Sequence, residues 1–181
     1  ITSVTIPAGM KTYTLELPVI DDNIAEGTET IVLTAGTVGS PFSPHAITID
    51  NSPHSLDITD NDEATLRIAD AKVTEGEGTT TISFDVTLDK ATGNPIVVNY
   101  SVTDVSTTAS VDYIVPGGSL QFDGQNPETK QISITVKGDH IMEGDETFTV
   151  SLTGHNYNNT LSIPVAGASA TGTILDDDLA E

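Results

Sequence analysis

Cysteine and tryptophan are absent from the 181 residues of this chain. The absence of cysteine excludes a disulfide framework, a thiolate nucleophile and a zinc site with cysteine ligands. No apolar run approaches the roughly 18 residues that a membrane-spanning helix requires. We therefore expect neither a disulfide-stapled fold nor direct membrane insertion.

Basic residues are also scarce, with 6 Lys and Arg against 27 Asp and Glu and a formal net charge of −21. Nucleic acid and anionic membranes are polyanions that would repel such a chain, so neither is expected as a partner. The chain begins at Ile1 with no Met and no basic-then-apolar leader. We interpret it as a piece of a longer protein.

The apolar residues are arranged in a pattern that predicts a folded β protein, although high charge with few aromatic residues is also compatible with disorder. Apolar and polar residues alternate in short runs such as 81–88, 131–136 and 147–152, which contain Val, Ile, Thr and Phe. Period two with these residues is typical of strands. The runs are separated by Gly, Pro, Asn and Asp, and the pattern predicts an all-β sandwich.

Seven strands are predicted between residues 63 and 178, the first of them broken near Asp70-Ala71. If successive strands alternate in direction, the odd-numbered connections and the segment after the last strand meet at one end of the sandwich. The even-numbered connections meet at the other end. The predicted strands are 64–74, 79–88, 95–103, 118–122, 129–137, 147–153 and 169–175.

Acidic residues are sorted unequally between these two ends, with 11 at the first and 3 at the second. Concentrating carboxylates without a counter-charge destabilises the fold through mutual repulsion. A bound cation would remove that penalty, so the first end, called the acidic end below, is a candidate cation site. It holds Glu75, Glu77, Asp104, Asp112, Asp139, Glu143, Asp145, Glu146, Asp176, Asp177 and Asp178.

The sequence repeats itself after about 117 residues, since residues 22–30 (DNIAEGTET) match 139–147 (DHIMEGDET) and 58–62 match 174–178 with one residue of slippage. Residues 1–62, the first copy, are predicted to be the last four strands of a domain. Residues 63–181, the second copy, are predicted to be a complete domain. The first copy lacks three strands, so we expect it to be completed by preceding chain or by a neighbouring molecule. Because the copies adjoin almost without a linker, the acidic end of the first should touch the far end of the second.

Four segments in order resemble the Calx-beta domain. They are Val73-Thr74-Glu75-Gly76, Val111-Asp112-Tyr113, residues 138–148 and residues 174–178. The C-terminal half of the same pattern covers residues 1–62. The resemblance implies a seven-stranded antiparallel immunoglobulin-like Greek-key sandwich that binds Ca²⁺ at one end.

The resemblance also implies the calcium ligands, carried over motif by motif. In the second copy they are Glu75, Asp112, Asp139, Glu143, Glu146, Asp176, Asp177 and Asp178, with the carbonyl of Ile141 as a further candidate. In the first copy they are Asp21, Asp22, Glu26, Glu29, Asp60, Asn61 and Asp62. The first copy has no counterpart of Glu75 or Asp112, so its site is expected to be weaker or empty. The second copy has Gly138 where the Calx-beta domains of sodium–calcium exchangers often have another acid.

Oxygen chemistry independently favours calcium at the acidic end. Ca²⁺ takes about 6–8 oxygen ligands in flexible geometry, whereas Mg²⁺ uses fewer protein ligands and retains water. Transition metals prefer imidazole or thiolate ligands, and no paired His spacing is present. Structural roles without a bound ion stay open for some of these residues. Glu75 is then an exposed turn residue, Asp112 a turn cap and residues 176–178 a charged strand terminator.

Three functions follow from these features. The tandem copies predict a calcium-binding structural repeat of a larger extracellular or cell-surface protein, such as a bacterial adhesin, with neighbouring Calx-beta repeats as partners. The exchanger resemblance implies a regulatory calcium sensor in the cytosolic part of a membrane protein. A third possibility is an adhesive domain that binds a protein or glycan ligand through residues 154–168 or through the other connections outside the acidic end. No Gly-x-Ser-x-Gly elbow or phosphate-binding loop is present, and no enzymatic activity is predicted.

Overall fold

A computed structural model describes residues 3–37, 50–108, 111–114, 117–156 and 169–179, with the backbone alone at 155 and 156. From residue 157 onward, the segment expected to carry an adhesive ligand lies outside these ranges. None of the described residues forms a helix long and apolar enough to cross a membrane. The strands are β1 (Glu29–Leu33), β2 (His54–Ile58), β3 (Leu66–Ile68), β4 (Ala71–Thr74), β5 (Thr79–Leu88), β6 (Ile96–Asp104), β7 (Tyr113–Ile114), β8 (Gly118–Phe122), β9 (Glu128–Lys137), β10 (Glu146–Asn156) and β11 (Ser169–Leu175).

The second copy is a sandwich of two sheets, which confirms the predicted fold class. One sheet has the order β4-β11-β10-β6-β8, and the other has the order β3-β5-β9-β7. Both long strands of the smaller sheet alternate buried and exposed residues, because one face packs on the core and the other meets water. Each predicted strand of this copy is present within a few residues of its expected bounds.

Aromatic rings join the two sheets at the centre of the core. Phe84 of β5 packs edge-to-face on Phe148 of β10, with ring centroids 5.9 Å apart. Tyr113 stacks on the same Phe148 ring at 4.8 Å. All three side chains are buried among aliphatic residues from both sheets. Such pairs add to the hydrophobic free energy of burial.

The first predicted strand is divided between the sheets, as its expected break indicated. Its first half, β3, pairs antiparallel with β5, whereas its second half, β4, runs parallel to β11. At the switch, the Asp70 carboxylate accepts a hydrogen bond from the Thr171 amide at 2.7 Å. The expectation of purely antiparallel pairing is therefore wrong at β4. The short strand β7, which pairs with β9, was not predicted.

The first copy has two of its four expected strands in the described residues. β1 and β2 pair antiparallel, and they are the counterparts of β10 and β11. Residues 3–28 contain no strand, although the repeat aligns 11–20 with β9. In the second copy β9 pairs with β5 and β8 pairs with β6, and the described residues of the first copy contain no counterpart of either partner. The two strands in the described part of the first copy are ladder partners of each other.

The two copies meet through a short loop of each. The amide of Ala25 donates to the carbonyl of Ala91 at 2.9 Å, and Ala25 is completely buried. The ammonium of Lys90 lies 2.6 Å from a carboxylate oxygen of Asp62. Residues 89–94, between β5 and β6, therefore contact the first copy at Ala25 and Asp62.

Substitution of Gly172 by alanine tests how tightly the two sheets pack against each other. A Cβ at this position would lie 2.5 Å from Phe148 Cζ and 2.8 Å from Phe84 Cζ, so Gly172→Ala should displace both rings. We expect the free energy of unfolding to fall by about 1–3 kcal/mol in chemical denaturation. Gly117→Ala is the matched control, because nothing lies within 4 Å of its Cβ position. Equal stability of the two variants would contradict this account of the core.

Candidate metal centre

Four chain segments converge at the acidic end, and backbone hydrogen bonds hold them together. The amide of Glu75, directly after β4, donates to the carbonyl of Leu175 at 3.1 Å. The next amide, that of Gly76, donates to Asp177 Oδ1 at 3.0 Å. The turn between β4 and β5 is thereby fixed to the segment that follows β11.

Gly138 allows the loop between β9 and β10 to join this arrangement. Its amide donates to the carbonyl of Gly78 at 2.6 Å. A Cβ on Gly138 would lie 1.6 Å from the carbonyl oxygen of Gly76, so no side chain fits there. The close approach of two backbones explains why glycine, and not an acid, precedes Asp139 in this copy.

The first carboxylate group, called the Glu75 triad, contains Glu75, Asp176 and Asp178. One oxygen from each lies within 4.8 Å of the others. Asp176 accepts hydrogen bonds from the amides of Glu143 (3.0 Å) and Asp178 (3.1 Å). Among the described residues, Asp178 Oδ2 is a buried side-chain oxygen without a hydrogen-bond partner.

The second group, called the Glu146 triad, contains Asp112, Glu143 and Glu146, again with oxygens within 4.8 Å of one another. Asp112 is buried, and its carboxylate accepts the amide of Thr108 while its carbonyl accepts the amide of Lys137 at 2.8 Å. Its turn-capping role and its place in the triad therefore coexist. Asp112 is also one of the neighbours that raise the pKa of Glu146.

A partly buried hydrogen-bond network behind the Glu146 triad was not predicted from the sequence. The hydroxyl of Tyr113 donates to Asp104 Oδ1 at 2.6 Å, and the hydroxyl of Thr107 donates to the same oxygen at 3.2 Å. Burial and the Asp104 carboxylate raise the pKa of Tyr113, which keeps the phenol protonated. The network secures the connection that carries Asp112. Its signal in the sequence is Tyr113 directly after Asp112.

Both triads contain carboxyl groups whose ionised form is disfavoured. Glu75 is 8% exposed, and burial together with Asp176, Glu143, Asp139 and Asp178 raises its pKa to about 7 from an ordinary value of 4.5. Burial and Asp112 raise the pKa of Glu146 to about 7 as well. Desolvation followed by repulsion from neighbouring carboxylates is the common cause.

The remaining predicted residues of this copy lie around the triads. Asp139 is close enough to raise the pKa of Glu75 and Glu143, and its Oδ1 accepts the amide of Ile141 at 2.7 Å. Asp177 directs one oxygen to the Gly76 amide and belongs to neither triad. Ligation by the carbonyl of Ile141 stays a prediction.

The first copy gathers its predicted residues into a looser site. Asp21, Asp22, Glu26, Glu29, Asp60 and Asn61 line a pocket of about 430 Å³. Slight desolvation, Asp22, Glu29 and Asp60 raise the pKa of Glu26. Asp62 does not line this pocket, and its carboxylate is paired with Lys90. Within the described residues, no three of these acids approach as closely as those of the triads.

The donor set of the two triads fits calcium. All six side chains are carboxylates from loops of different length, and neither triad includes an imidazole or a thiolate. Ca²⁺ prefers such oxygen ligands and tolerates irregular geometry. A divalent cation would also favour the ionised carboxylates that burial otherwise disfavours.

The raised pKa values predict how stability depends on pH in the absence of calcium. A carboxyl group whose pKa is raised in the folded state stabilises that state only while it is protonated. Stability is therefore lost as pH rises from about 4.5 through about 7. We expect the free energy of unfolding in chelator to fall by roughly 2 kcal/mol between pH 5 and 7.5. Excess calcium should remove that fall, and Glu75→Gln should reduce it. Stability that rises over this range in chelator would contradict the prediction.

Comparisons with known proteins were made for both sequence and structure. No curated protein is similar enough in sequence to count as a match. The crystal structure of an apo-form Calx CBD1 domain is 25% identical, with a TM-score of 0.47 over 63% of this chain and 99% of that chain. The crystal structure of CBD12 from CALX1.2 is 26% identical, with a TM-score of 0.49 over 62% of this chain and 46% of that chain. The crystal structure of a Calx CBD2 domain is 17% identical, with a TM-score of 0.47 over 61% of this chain and 86% of that chain.

The family comparison covers most of the chain. The model of the Calx-beta domain matches residues 2–48 and 57–178. This match confirms the resemblance read from the four motifs, and with it the expected cofactor, Ca²⁺. The chain therefore belongs to the Calx-beta domain family.

Proposed function

We propose that this chain is a calcium-binding structural repeat of a larger extracellular or cell-surface protein, in which Ca²⁺ stiffens both the sandwich and the joint between repeats. The observation that carries the proposal is the pair of carboxylate triads, drawn from four loops to one end of the second copy. No catalytic role is proposed, because the clustered acids are better explained as cation ligands.

The proposed ligands would connect segments that are otherwise held by a few hydrogen bonds. The Glu75 triad would fix the turn after β4 to the segment after β11, and the Glu146 triad would fix residues 105–112 to the loop before β10. Calcium bound at these positions would replace carboxylate repulsion by attraction. Because it binds the folded state, it would stabilise the fold by mass action.

The joint is included because the loop that carries Glu26, a predicted ligand of the first copy, also contacts the second copy. Glu26 lines the acidic pocket and donates its amide to Asp60 Oδ2 at 2.6 Å. Its neighbour Ala25 is buried against the second copy and bonded to Ala91. Cation binding to Glu26 and Asp60 would therefore restrain the residues that hold the two copies together.

Affinity separates this proposal from a regulatory sensor. An extracellular module is expected to bind calcium with a Kd of about 10⁻⁴–10⁻³ M, whereas a cytosolic sensor binds below about 10⁻⁵ M. The tandem copies without a linker and the absence of cysteine support the structural repeat.

Calcium titration by calorimetry on the whole chain tests the proposal. Glu75→Gln removes one charge from the first triad and should weaken calcium binding by about tenfold or more. Glu77→Gln is the matched control, because Glu77 lies on the same turn with its side chain 72% exposed and belongs to neither triad. We expect that control to bind calcium like the parent chain.

A melting scan completes the test. Millimolar calcium should raise the Tm of the parent chain by several degrees relative to chelator. An unchanged Tm, together with no heat of binding, would refute the proposed function. Equal weakening by Glu75→Gln and Glu77→Gln would show that general charge, and not a ligand set, attracts the ion.

Hydrogen exchange at the Ala25 amide tests the joint. Lys90→Ala removes the ion pair with Asp62 and should speed this exchange roughly threefold. Lys130→Ala is the matched control, because it removes the similarly exposed ion pair with Glu128 in the second copy. Calcium should slow the exchange in the parent chain. If the two variants exchange alike, the Lys90 pair does not contribute to the joint.

A further inference from the structure

The loops at the acidic ends of the two copies have matching local structure. In each, the amide two residues after the first Asp donates back to that Asp, and two further amides donate to the Asp that follows the last strand. The matched amide-to-carboxylate pairs are Ile24–Asp22 and Ile141–Asp139 (2.8 and 2.7 Å), Glu26–Asp60 and Glu143–Asp176 (2.6 and 3.0 Å), and Asp62–Asp60 and Asp178–Asp176 (3.3 and 3.1 Å). The two ends therefore present equivalent surfaces.

In the first copy this surface is covered by the second copy. Ala25 is buried there and bonded to Ala91, and Asp62 is paired with Lys90. The backbone of Gly93 approaches closely, since its Cβ position lies 3.3 Å from Glu26 Oε1 and its φ is +68°. The residues that cover the surface belong to one loop, 89–94, between β5 and β6.

In the second copy the equivalent residues are apolar and exposed. Ile141 and Met142, the counterparts of Ile24 and Ala25, are 60% and 57% exposed. Asp178, the counterpart of Asp62, is half-buried and carries the carboxylate that matches the one paired with Lys90. Apolar residues and a carboxylate therefore stand at the positions that contact the second copy in the first copy.

We propose that Ile141, Met142 and Asp178 form a docking surface for the β5–β6 loop of another Calx-beta domain, with a basic residue of that loop paired to Asp178. Two observations identify this occupant. The equivalent surface of the same chain is already seated on such a loop, and the charge of the Lys90 ammonium complements that of the carboxylate. A second copy of this chain fits less well, because its own loop is covered by Ala25.

This inference rests on the tandem arrangement in the proposed function but not on calcium. The contacts that define the covered surface are a backbone hydrogen bond, apolar burial and an ion pair between protein groups. Met142 is larger than Ala25, and its unbranched thioether adapts to irregular surfaces. The other repeat can therefore be received through the same backbone geometry with a modest change in side-chain packing.

An extended chain tests the inference directly. A second copy of residues 63–181 is joined after Asp178, which repeats the junction between Asp62 and Glu63. The added copy carries Met142→Leu, so that the original Met142 has a unique peptide. Met10, the other methionine of the parent chain, is 60% exposed and serves as the internal reference. Oxidation by peroxide, followed by peptide mass spectrometry, measures the exposure of both.

We expect Met142 to be oxidised at least about threefold more slowly relative to Met10 in the extended chain than in the parent chain. Lys90→Glu in the added copy should abolish this protection, and Lys90→Met should reduce it, provided that circular dichroism shows both variants folded. Equal oxidation of Met142 in parent and extended chains would overturn the proposal. Protection that survives Lys90→Glu would overturn it too.

Two further measurements separate the alternatives. Protection of Met142 in the parent chain that grows with protein concentration would assign a second copy of this chain as the occupant and overturn the proposal. Protection is expected in chelator as well as in calcium. If calcium fails to bind but Met142 is still protected, only the proposed function fails. If calcium binds but Met142 is unprotected, only the docking surface fails.

Discussion

The acidic end depends on one constraint: carboxylates from four segments must share a space that is partly shielded from water. Glu75 is buried, and its pKa is raised because neither desolvation nor its charged neighbours favour ionisation. Backbone amides offset part of this penalty, since those of Gly76 and Glu143 donate to Asp177 and Asp176. The loops are thus arranged by hydrogen bonds that the backbone supplies. Their carboxylate oxygens remain available to a cation.

The strands of the second copy could be predicted because each has a local signal. β5 and β9 alternate apolar and polar residues over their whole length, and their predicted bounds agree with the structure to within a residue. β7 has only two residues, which is too short for a period to be visible. The parallel pairing of β4 with β11 joins segments about a hundred residues apart, and no local pattern records its direction.

The candidate site was predictable as a set of residues but not as an arrangement. The motifs located the acids of both triads, because loops at the same end of a sandwich must lie near one another. They could not divide those acids between two groups or assign Asp177 to the Gly76 amide. The pairing of Asp62 with Lys90 depends on how two domains meet. Such a contact lies beyond the periodicity or motif of either copy.

The parallel ladder between β4 and β11 determines how a pulling force would pass through the second copy. Chain enters this domain on the side of β4 and leaves it after β11, and the two strands pair side by side from Ala71↔Gly172 to Thr74↔Leu175. Tension along the chain would draw the two strands past each other along their length. The ladder would then be loaded in shear, with its hydrogen bonds strained together and not opened one after another. A repeat built in this way resists extension through the same strands that deliver Glu75 and Asp176 to the acidic end.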